Sequence, residues 1–377
     1  MQVVFLTHNY PRHADDVAGG FLRPLALALR DRGHDLAVVA PSDGGKGGVD
    51  RLDGIPVHRA RYASVGRERY AYSGRMTEAL RSPGGWWAIG GMIRSLRRTA
   101  REVARPGAVI HAHWWFPSGV AAPPERPAVV TLHGTDGRLL GAPLAPFVAR
   151  LAFRPGRVVT TVSAPLAEAV RARTGRVVDG DHVCPMPVVD RGTRSAGGGG
   201  LVFVGRLTSQ KRVRLAIEAH ARLRRDRPGL ALTIVGDGPE RPDLEALAAR
   251  LGTAPAVRFT GQLAPAAVAA ILARGDVFVF PAEREGLGLA AVEALMAGLP
   301  LVVCRDGGGV LDLLAEAGAG ESVAPDPAGI AAAVRGLLDD PHAAGRAHEA
   351  GTRWRTRLTP DAVAARCEGW YREALGG

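Results

Sequence analysis

The amino-acid sequence predicts an α/β protein built from two doubly wound parallel sheets. Three observations support this fold class. Short apolar runs recur along the chain, as in strands that are buried on both faces, and amphipathic stretches with helical spacing follow most of them. A glycine-rich stretch at residues 191–200 interrupts the pattern, after which the alternation starts again. With 377 residues, the chain is long enough for two domains, which we place at residues 1–190 and 191–359.

The first half of the chain contains the clearest alternation. Residues 2–7 form a continuous apolar run, and an amphipathic helix over residues 21–32 follows the pair Gly19-Gly20 and ends at Gly33. Further strands are predicted at residues 35–40, 108–112, 128–132 and 158–162. Apolar strands that alternate with helices form parallel sheets covered on both faces.

The second half repeats this organisation after the glycine-rich stretch, whose composition predicts a linker with nothing to pack against. Strands are predicted at residues 201–204, 231–235, 257–260, 277–280, 301–304 and 322–324. Helices are predicted at residues 213–225, 239–251 and 360–375. Because ligands of such sheets bind at the carboxyl ends of the strands, functional residues are expected in the loops that follow them.

The composition is that of a globular protein from a reducing compartment. Hydrophobic residues make up 46% and charged residues 23%, which excludes a disordered or collagen-like chain. No apolar run reaches the roughly 18 to 20 residues of a membrane span, and the first residues lack the basic lead of a signal peptide. Cys184, Cys304 and Cys367 form no Cys-x-x-Cys motif, so neither a disulfide framework nor a cysteine zinc site is expected. We therefore expect a cytoplasmic location.

The formal charge of +11 admits a basic nucleic-acid-binding protein as one alternative. The chain has only two lysines, Lys46 and Lys211, and nearly all of its positive charge is arginine, as a GC-rich genome would produce without any polyanionic partner. No nucleic-acid-binding module is recognisable. Residues 1–190 carry 25 basic and 16 acidic groups, so the positive excess lies mainly in the first half.

An arginine-rich helical stretch at residues 86–105 accounts for part of this excess. It begins with Trp86 and Trp87. Its arginines share one broad face: Arg94, Arg97, Arg98, Arg101 and Arg105. Two interpretations stay open. The stretch is an ordinary surface helix that covers the sheet, or it touches an anionic membrane peripherally, because tryptophan suits the headgroup region and arginine attracts anionic lipid.

Two segments of the second half contain the residues expected to do chemistry. In the first segment a strand ends at Gly205, and Arg206 and Lys211 follow before a helix begins. A guanidinium fork and an ammonium group together suit a diphosphate, and both side chains are expected to be exposed. The alternative is a solvated loop at the start of a helix.

The second segment follows another predicted strand. Glu285 lies in its loop, Gly286 and Gly288 allow a ligand to approach the backbone closely, and a helix begins near Leu289. The free N–H groups of that helix and its dipole would face the same ligand. Glu293 lies one turn further along, where a carboxylate among apolar neighbours requires hydroxyls or other donors. The alternative is an ordinary capped helix with a surface glutamate.

Together these segments resemble the retaining glycosyltransferases of family 4, which have the GT-B fold of two Rossmann-like domains. The family pattern is a Gly-Arg-Leu…Lys loop followed, about 80 residues later, by Glu-Gly-x-Gly-Leu with a second Glu eight positions after the first, and both parts are present. The first half matches at Gly19-Gly20, His111-Ala-His113 and Thr131-Leu-His133-Gly134. The resemblance covers nearly the whole chain. We also expect the C-terminal helix, at about residues 360–377, to pack back on the first domain.

The resemblance implies a role for each matching residue. Arg206 and Lys211 would bind the donor diphosphate and stabilise charge on the departing nucleotide, and Glu293 would accept hydrogen bonds from the ribose. Glu285 would bind hydroxyls of the donor sugar, and His133 would lie near its anomeric carbon or 6-hydroxyl. The other residues expected around the donor are Gly19, Gly20, Gly205, Gly236, Gln262, Gly286, Gly288 and Leu289.

The implied activity is that of a hexosyltransferase, which moves a hexosyl group with retention from a UDP- or GDP-sugar to a hydroxyl of a small molecule, a glycan or a lipid-linked sugar. A sugar-nucleotide 2-epimerase of the same fold is the alternative. Neither a metal nor another cofactor is expected, because cationic side chains and a helix N-terminus would replace a divalent ion. His111 and His113 lack a third clustered ligand, and Asp179-Gly-Asp181 has the composition of a surface turn, so neither predicts a metal site.

Overall fold

The two halves of the chain fold as two compact units. The structure, a computed structural model, describes residues 1–14, 16, 18–72, 79, 82–192 and 194–376. The first unit comprises Met1–Pro187 and the C-terminal helix, and the second comprises Val188–Thr359. Each unit contains one mainly parallel sheet with helices packed against it.

The first unit is built on a sheet with the strand order β3-β4-β2-β1-β5-β6-β7. Its strands are β1 (Gln2–Leu6), β2 (Asp35–Pro41), β3 (Gly48–Leu52), β4 (Ile55–Ala60), β5 (Val109–His113), β6 (Ala128–Leu132) and β7 (Val158–Thr161). All neighbours are parallel except β3, which pairs antiparallel with β4. The five strands predicted in this half are confirmed. The sequence did not predict β3 and β4, because β3 lies at the edge with mostly exposed residues and has no apolar run.

Helices cover this sheet. They are α1 (Arg23–Asp31), α2 (Pro83–Val103), α3 (Gly134–Leu140), α4 (Ala145–Ala152) and α5 (Ala164–Thr174). The arginine-rich stretch forms α2, which begins earlier than expected because the Ser82 hydroxyl accepts a hydrogen bond from the N–H of Gly85 at 3.2 Å. Arg105 lies beyond the end of α2, so the expected arginine face loses one member.

The second unit is built on an all-parallel sheet with the order β10-β9-β8-β11-β12-β13. Its strands are β8 (Leu201–Val204), β9 (Leu232–Val235), β10 (Val257–Phe259), β11 (Val277–Phe280), β12 (Leu301–Cys304) and β13 (Gly320–Val323). Its helices are α6 (Val213–Leu223), α7 (Arg241–Arg250), α8 (Pro265–Leu272), α9 (Leu289–Met296), α10 (Val310–Ala317), α11 (Pro327–Asp339) and α12 (Ala343–Arg357). The predicted strands of this unit are confirmed, with ends within two residues of those expected.

The glycine-rich stretch at residues 191–200 packs against the second unit. The carboxylate of Asp276 accepts hydrogen bonds from the N–H groups of Gly198 and Gly200 at 2.6 Å and 2.7 Å. The N–H of Ser195 donates to a backbone carbonyl at 2.7 Å. The prediction that this stretch has nothing to pack against is therefore wrong, because its backbone amides find partners that side-chain composition does not reveal.

The C-terminal helix α13 (Pro360–Ala374) packs against α1 and β6 of the first unit. Its Tyr371 is buried, and the phenol lies 2.8 Å from His111 Nδ1. Its Glu368 accepts hydrogen bonds from Arg32 and lies 2.9 Å from His34 Nε2. Within the described residues, no helix combines the length and the hydropathy that crossing a membrane requires.

Candidate active site

Three loops of the second unit form a continuous surface at the carboxyl ends of β8, β11 and β12. These strands are parallel neighbours, so the loops that follow them begin at the same edge of the sheet. The N–H of Glu283 donates to the carbonyl of Gln210 at 2.9 Å, and the N–H of Glu285 donates to that of Gly307 at 2.8 Å. The two segments expected to do chemistry therefore lie side by side.

Lys211 and Glu285 form an ion pair on this surface, although 74 positions separate them in the chain. The Lys211 ammonium donates to Glu285 Oε2 and lies 4.7 Å from the centroid of the Phe280 ring, a cation–π contact. The two side chains are only 16% and 19% exposed. The expectation that Lys211 is exposed is wrong, because the ring and the carboxylate cover it. A cation and a carboxylate thus stand within reach of one ligand.

Glycines hold the ends of the neighbouring strands close together. Gly236 has a φ of 128°, and a Cβ on it would lie 1.9 Å from the carbonyl oxygen of Gly205, so no other residue fits there. The N–H of Gly236 donates to the carbonyl of Gly261 at 2.9 Å. Arg206 and Gln262, which directly follow two of these glycines, are both exposed. The loops after β8, β9 and β10 are therefore joined, with two polar side chains in solvent.

Arg212 is a residue that the sequence did not single out. Its backbone is left-handed, with a φ of 47°, and its guanidinium forms a two-pronged ion pair with Asp306 at 2.6 Å and 2.9 Å. Its Nε donates to the carbonyl of Pro281 at 2.9 Å. Arg212 therefore links the three loops, and the ion pair lowers the pKa of Asp306. An arginine next to Lys211 carries no signal that would distinguish it in a single sequence.

The first turn of α9 begins at the same edge. Gly288 precedes the helix with a φ of 79°, and a Cβ on it would lie 3.1 Å from the Phe280 ring. Gly288 has no side chain with which to cap the helix, so the first N–H groups of α9 and its dipole can act on an anion. Leu289 opens the helix and is half-buried, whereas Gly286 is buried in the preceding loop. These three residues lie where the sequence predicted them, at a helix N-terminus.

Glu293 lines a small cavity within the second unit. The cavity has a volume of about 150 Å³, and its wall is mainly apolar. Residues from β8, the loop after β10, α8 and α9 line it, among them Val204, Leu263, Val268 and Met296. Glu293 reaches solvent, yet the protein around it displaces much of its hydration and raises its pKa, an effect that Arg191 partly offsets. A carboxylate at the rim of an apolar cavity suits a ligand with hydroxyls beside a flat apolar group.

The remaining predicted residues lie in the first unit. Gly19 has a φ of 69°, and a Cβ on it would lie 2.2 Å from the carbonyl oxygen of Asn9, whereas Gly20 faces open space. Phe21, which follows them, places its ring centroid 5.2 Å from that of His133. The structure thus brings the glycine loop and His133 together through an aromatic side chain. The close approach of Gly19 to the backbone of Asn9 leaves no room for a side chain, so packing within the first unit is enough to explain this glycine.

His133 precedes α3 and is buried. Its N–H donates to Asp136 Oδ2 at 2.8 Å, which satisfies one backbone group at the start of the helix. Burial raises the pKa of Asp136 well above its ordinary value and lowers that of His133 to about 3. His133 is therefore neutral at physiological pH, and so is a poor general base there.

The histidines of β5 bind protein groups. His111 lies 2.8 Å from the Tyr371 phenol and 2.7 Å from Thr131 Oγ1, and burial lowers its pKa to about 3. Asp179 and Asp181 lie at a 3₁₀ turn on the surface. Among the described residues, no group of three or more His, Cys, Asp or Glu side chains could hold a metal ion.

The outer face of α2 is less positive than its sequence predicts. Arg98 pairs with Glu102, and Arg101 pairs with Glu125. Arg97 turns toward the protein and donates to the carbonyl of Val120 at 2.6 Å. The expected arginine face is therefore largely neutralised. The tryptophans are the prominent exposed feature, with exposed fractions of 65% for Trp86 and 75% for Trp87.

Two doubly wound units, the second with a paired cation and carboxylate at its strand ends, define the GT-B architecture. Comparison with known proteins agrees. The sequence pattern of the family described as Glycosyl transferases group 1 matches residues 197–354, and that of Glycosyltransferase Family 4 matches residues 19–187. The sucrose-phosphate synthase of Thermosynechococcus elongatus shares the fold, with a TM-score of 0.79 at 19% identity over 100% of this chain and 99% of that one.

Two curated relatives extend the match. The glycogen synthase of Mycobacterium tuberculosis (strain ATCC 25618 / H37Rv) is 31% identical over 392 aligned residues, which cover 96% of this chain and 91% of the synthase. The GDP-mannose-dependent alpha-(1-6)-phosphatidylinositol monomannoside mannosyltransferase of Mycolicibacterium smegmatis is 35% identical over 189 residues, 47% of this chain and 49% of that protein. The chain belongs to family 4 of the glycosyltransferases, and the predicted family, fold and enzyme class are confirmed.

Proposed function

We propose that this glycosyltransferase transfers a hexosyl group from a UDP- or GDP-sugar to a hydroxyl acceptor and retains the anomeric configuration. The observation that carries the proposal is the contact between Lys211 and Glu285 at the strand ends of the second unit. The exposed Arg206 lies in the same loop as Lys211. Both cations would bind the donor diphosphate, and Glu285, released from Lys211, would accept hydrogen bonds from hydroxyls of the donor sugar.

The charges of this surface support a front-face reaction. The bond between the anomeric carbon and the leaving phosphate oxygen breaks while the acceptor oxygen bonds to the same face of that carbon. The acceptor proton passes to the phosphate oxygen, and Arg206 and Lys211 stabilise the negative charge that develops there. This route needs no strong base, in agreement with the low pKa of His133.

The nucleoside would lie against α9. Glu293 would accept hydrogen bonds from the ribose hydroxyls, and the apolar cavity beside it would receive part of the nucleoside. The matched mannosyltransferase is named as GDP-mannose-dependent, which supports a nucleoside diphosphate sugar as donor and leaves the choice between UDP and GDP to experiment. The acceptor is a small molecule, a glycan or a lipid-linked sugar.

A thermal-shift panel tests donor binding and metal independence together. We expect UDP or GDP, and the corresponding sugar nucleotides, to raise the melting temperature, because a ligand at 100 times its Kd stabilises the folded state by about 2.7 kcal/mol. The shift should persist in EDTA, since side-chain cations and a helix N-terminus would bind the diphosphate. The matching nucleoside monophosphates serve as controls and should shift it less. A shift that appears only with Mg²⁺ or Mn²⁺ would contradict the metal-free proposal.

The anomeric outcome is a separate prediction. An α-linked donor should give an α-linked product, because attack and departure occur on one face of the sugar. Proton NMR of the product formed in the first turnovers measures the anomeric coupling directly. A β-linked product would overturn retention. An epimerised sugar nucleotide formed without any acceptor would instead favour the epimerase.

We also propose that the exposed Trp86 and Trp87 contact a membrane peripherally. The predicted location is the cytoplasm, at the inner face of the membrane. Wild-type protein should co-sediment with anionic vesicles at low salt, because tryptophan favours the headgroup region and the net positive charge of the chain attracts anionic lipid. Replacing Trp86 and Trp87 together by Ser should abolish binding. Phe147→Ser, which removes another aromatic side chain that is 65% exposed, is the matched control. Wild-type protein that stays in the supernatant would show that the contact does not occur.

A further inference from the structure

Histidine rings stack at the carboxyl end of the first sheet. His111 and His113 are two residues apart on β5, so their side chains point to the same face. Their ring centroids lie 4.2 Å apart, with an interplanar angle of 28°. Both ring nitrogens of His111 are held, Nδ1 by the Tyr371 phenol and Nε2 by Thr131 Oγ1. Phe5 also packs edge-on against His113 at 4.7 Å. These contacts fix the plane of the His113 ring.

The fixed ring of His113 meets the ring of His133. His113 Nδ1 lies 3.3 Å from His133 Nε2, within hydrogen-bond distance. The two residues are 0% and 5% exposed. Burial lowers the pKa of His133 to about 3 and that of His113 well below its ordinary value, so both rings are neutral at physiological pH. Each ring then has one proton, and one of the two facing nitrogens must donate it.

The surroundings of His113 indicate which ring donates. Its other nitrogen, Nε2, is buried and has no hydrogen-bond partner among the residues that the structure describes. If His133 donated, the single proton of His113 would sit on Nε2 as a buried N–H without an acceptor. If His113 donates from Nδ1, Nε2 is left only as an unpaired lone pair. Among buried backbone groups, N–H groups without an acceptor are rarer than carbonyls without a donor, and we apply the same order to the ring nitrogens. The shared proton is therefore assigned to His113.

We propose that His113 is a positioning residue, which donates its Nδ1–H to His133 and so holds His133 as the tautomer protonated on Nδ1. The rings of Trp114 and Phe21, with centroids 4.6 Å and 5.2 Å from that of His133, restrict its orientation further. His133 then presents a neutral N–H donor in a fixed direction. That this donor serves a sugar hydroxyl rests on the proposed function, whereas the proton arrangement rests on the geometry of the first unit alone.

The tautomer is measured in the wild-type protein. Long-range proton–nitrogen correlation spectra of protein labelled with ¹⁵N-histidine distinguish a protonated from a bare ring nitrogen, and loss of signals in His133→Asn assigns them to that ring. We expect His133 to be protonated on Nδ1 and bare on Nε2. A proton on Nε2 of His133 overturns the proposal. This readout needs neither a substrate nor a variant of His113.

Two variants of His113 test the hydrogen bond. In His113→Asn the amide nitrogen takes the place of Nδ1 and keeps the donor, whereas His113→Leu removes it at similar volume. We expect His113→Leu to lower kcat by about 10-fold to 100-fold, as loss of a supporting hydrogen bond does at other sites, with the KM for the donor nearly unchanged. His113→Asn should keep the Nδ1–H tautomer of His133 and recover most of the rate.

Equal loss of kcat in both variants, at matched melting temperatures, would overturn the positioning role, because the donor would then not matter. Unchanged kcat in His113→Leu would overturn it as well. The failure of the proposed function looks different. If no sugar nucleotide supports turnover, the spectra still decide whether His113 sets the tautomer of His133.

Discussion

Arg206→Ala should lower turnover about 100-fold, the loss expected when a fixed charge that stabilises a leaving group is removed. The side chain is exposed, so the free energy of unfolding should change by no more than about 0.5 kcal/mol. Steady-state kinetics at saturating donor and urea unfolding measure the two quantities. Arg214→Ala is the matched control, because Arg214 is another exposed arginine, eight positions further along the chain, and pairs along its own helix with Glu218.

Lys211→Ala should cause a similar loss of turnover together with a loss of stability. Its ammonium compensates the carboxylate of Glu285, which is only 19% exposed and would be left without its cation. Leaving a largely buried acceptor without its partner costs about 1–3 kcal/mol. Wild-type turnover in either variant at saturating donor would remove these cations from the mechanism. Unchanged stability of Lys211→Ala would show that Glu285 finds another partner.

Acid should destabilise the first unit well above the pH at which most carboxylates titrate. Burial lowers the pKa of His8 to about 4 and those of His111 and His133 to about 3, from an ordinary 6.5. Between those values the unfolded chain binds protons that the folded chain does not, so the free energy of unfolding falls as the pH falls below 6.5. Each ring contributes about 1.4 kcal/mol per pH unit, so these three rings together contribute about 4 kcal/mol per pH unit, a large part of a typical total stability. His113, whose pKa burial lowers well below its ordinary value, acts in the same direction.

Other titratable groups change the slope of the free energy of unfolding against pH in predictable directions. The raised pKa of Asp136 acts in the opposite sense, since the folded chain keeps a proton that the unfolded chain has released. Its single carboxyl reduces the effect of the histidines without reversing it. Glu368 and Asp16, whose pKa values their arginine partners lower to about 2, remove further stability only below about pH 4.5. The histidine contribution should therefore dominate between pH 6.5 and 4.5.

Urea unfolding at a series of pH values, followed by tryptophan fluorescence, measures this dependence. His111→Gln should be less stable overall, and its slope should be smaller by about 1.4 kcal/mol per pH unit below pH 6.5, because one titrating ring is gone. His342→Gln, which removes an exposed histidine instead of a buried one, is the matched control. A wild-type free energy of unfolding that is constant from pH 6.5 to 4.5 would contradict the burial of these rings.

The sequence predicts elements well where local pattern and burial agree. β1 and β11 are continuous apolar runs because both faces of each strand are covered, and runs of that kind are visible without any tertiary information. β3 depends on a different cause. β3 forms because it pairs with the edge of β4, and its mostly exposed residues show no alternation that would indicate a strand.

The candidate site divides in the same way. The spacing from Glu285 to Glu293 is a local property of one loop and the helix that follows it, so it can be predicted from the sequence alone. The contact of Glu285 with Lys211 depends on β8 and β11 being neighbours in the sheet. The ion pair between Arg212 and Asp306 depends in addition on β12 being the neighbour of β11. Sheet order follows from long-range packing, which a single sequence does not state.

The order in which the chain visits its two units has a consequence for synthesis on the ribosome. The polypeptide leaves the first unit after Pro187 and returns to it only at Pro360, so the second unit is complete before the first. The hydrogen-bond partner of His111, Tyr371, is synthesised 260 positions later. At ordinary translation rates this delay is roughly 10 to 50 seconds. Until then the nascent first unit exposes the surface that α13 will cover. A premature stop codon before Pro360 would leave this surface permanently open, and we expect such truncated chains to aggregate although every predicted donor-binding residue is present.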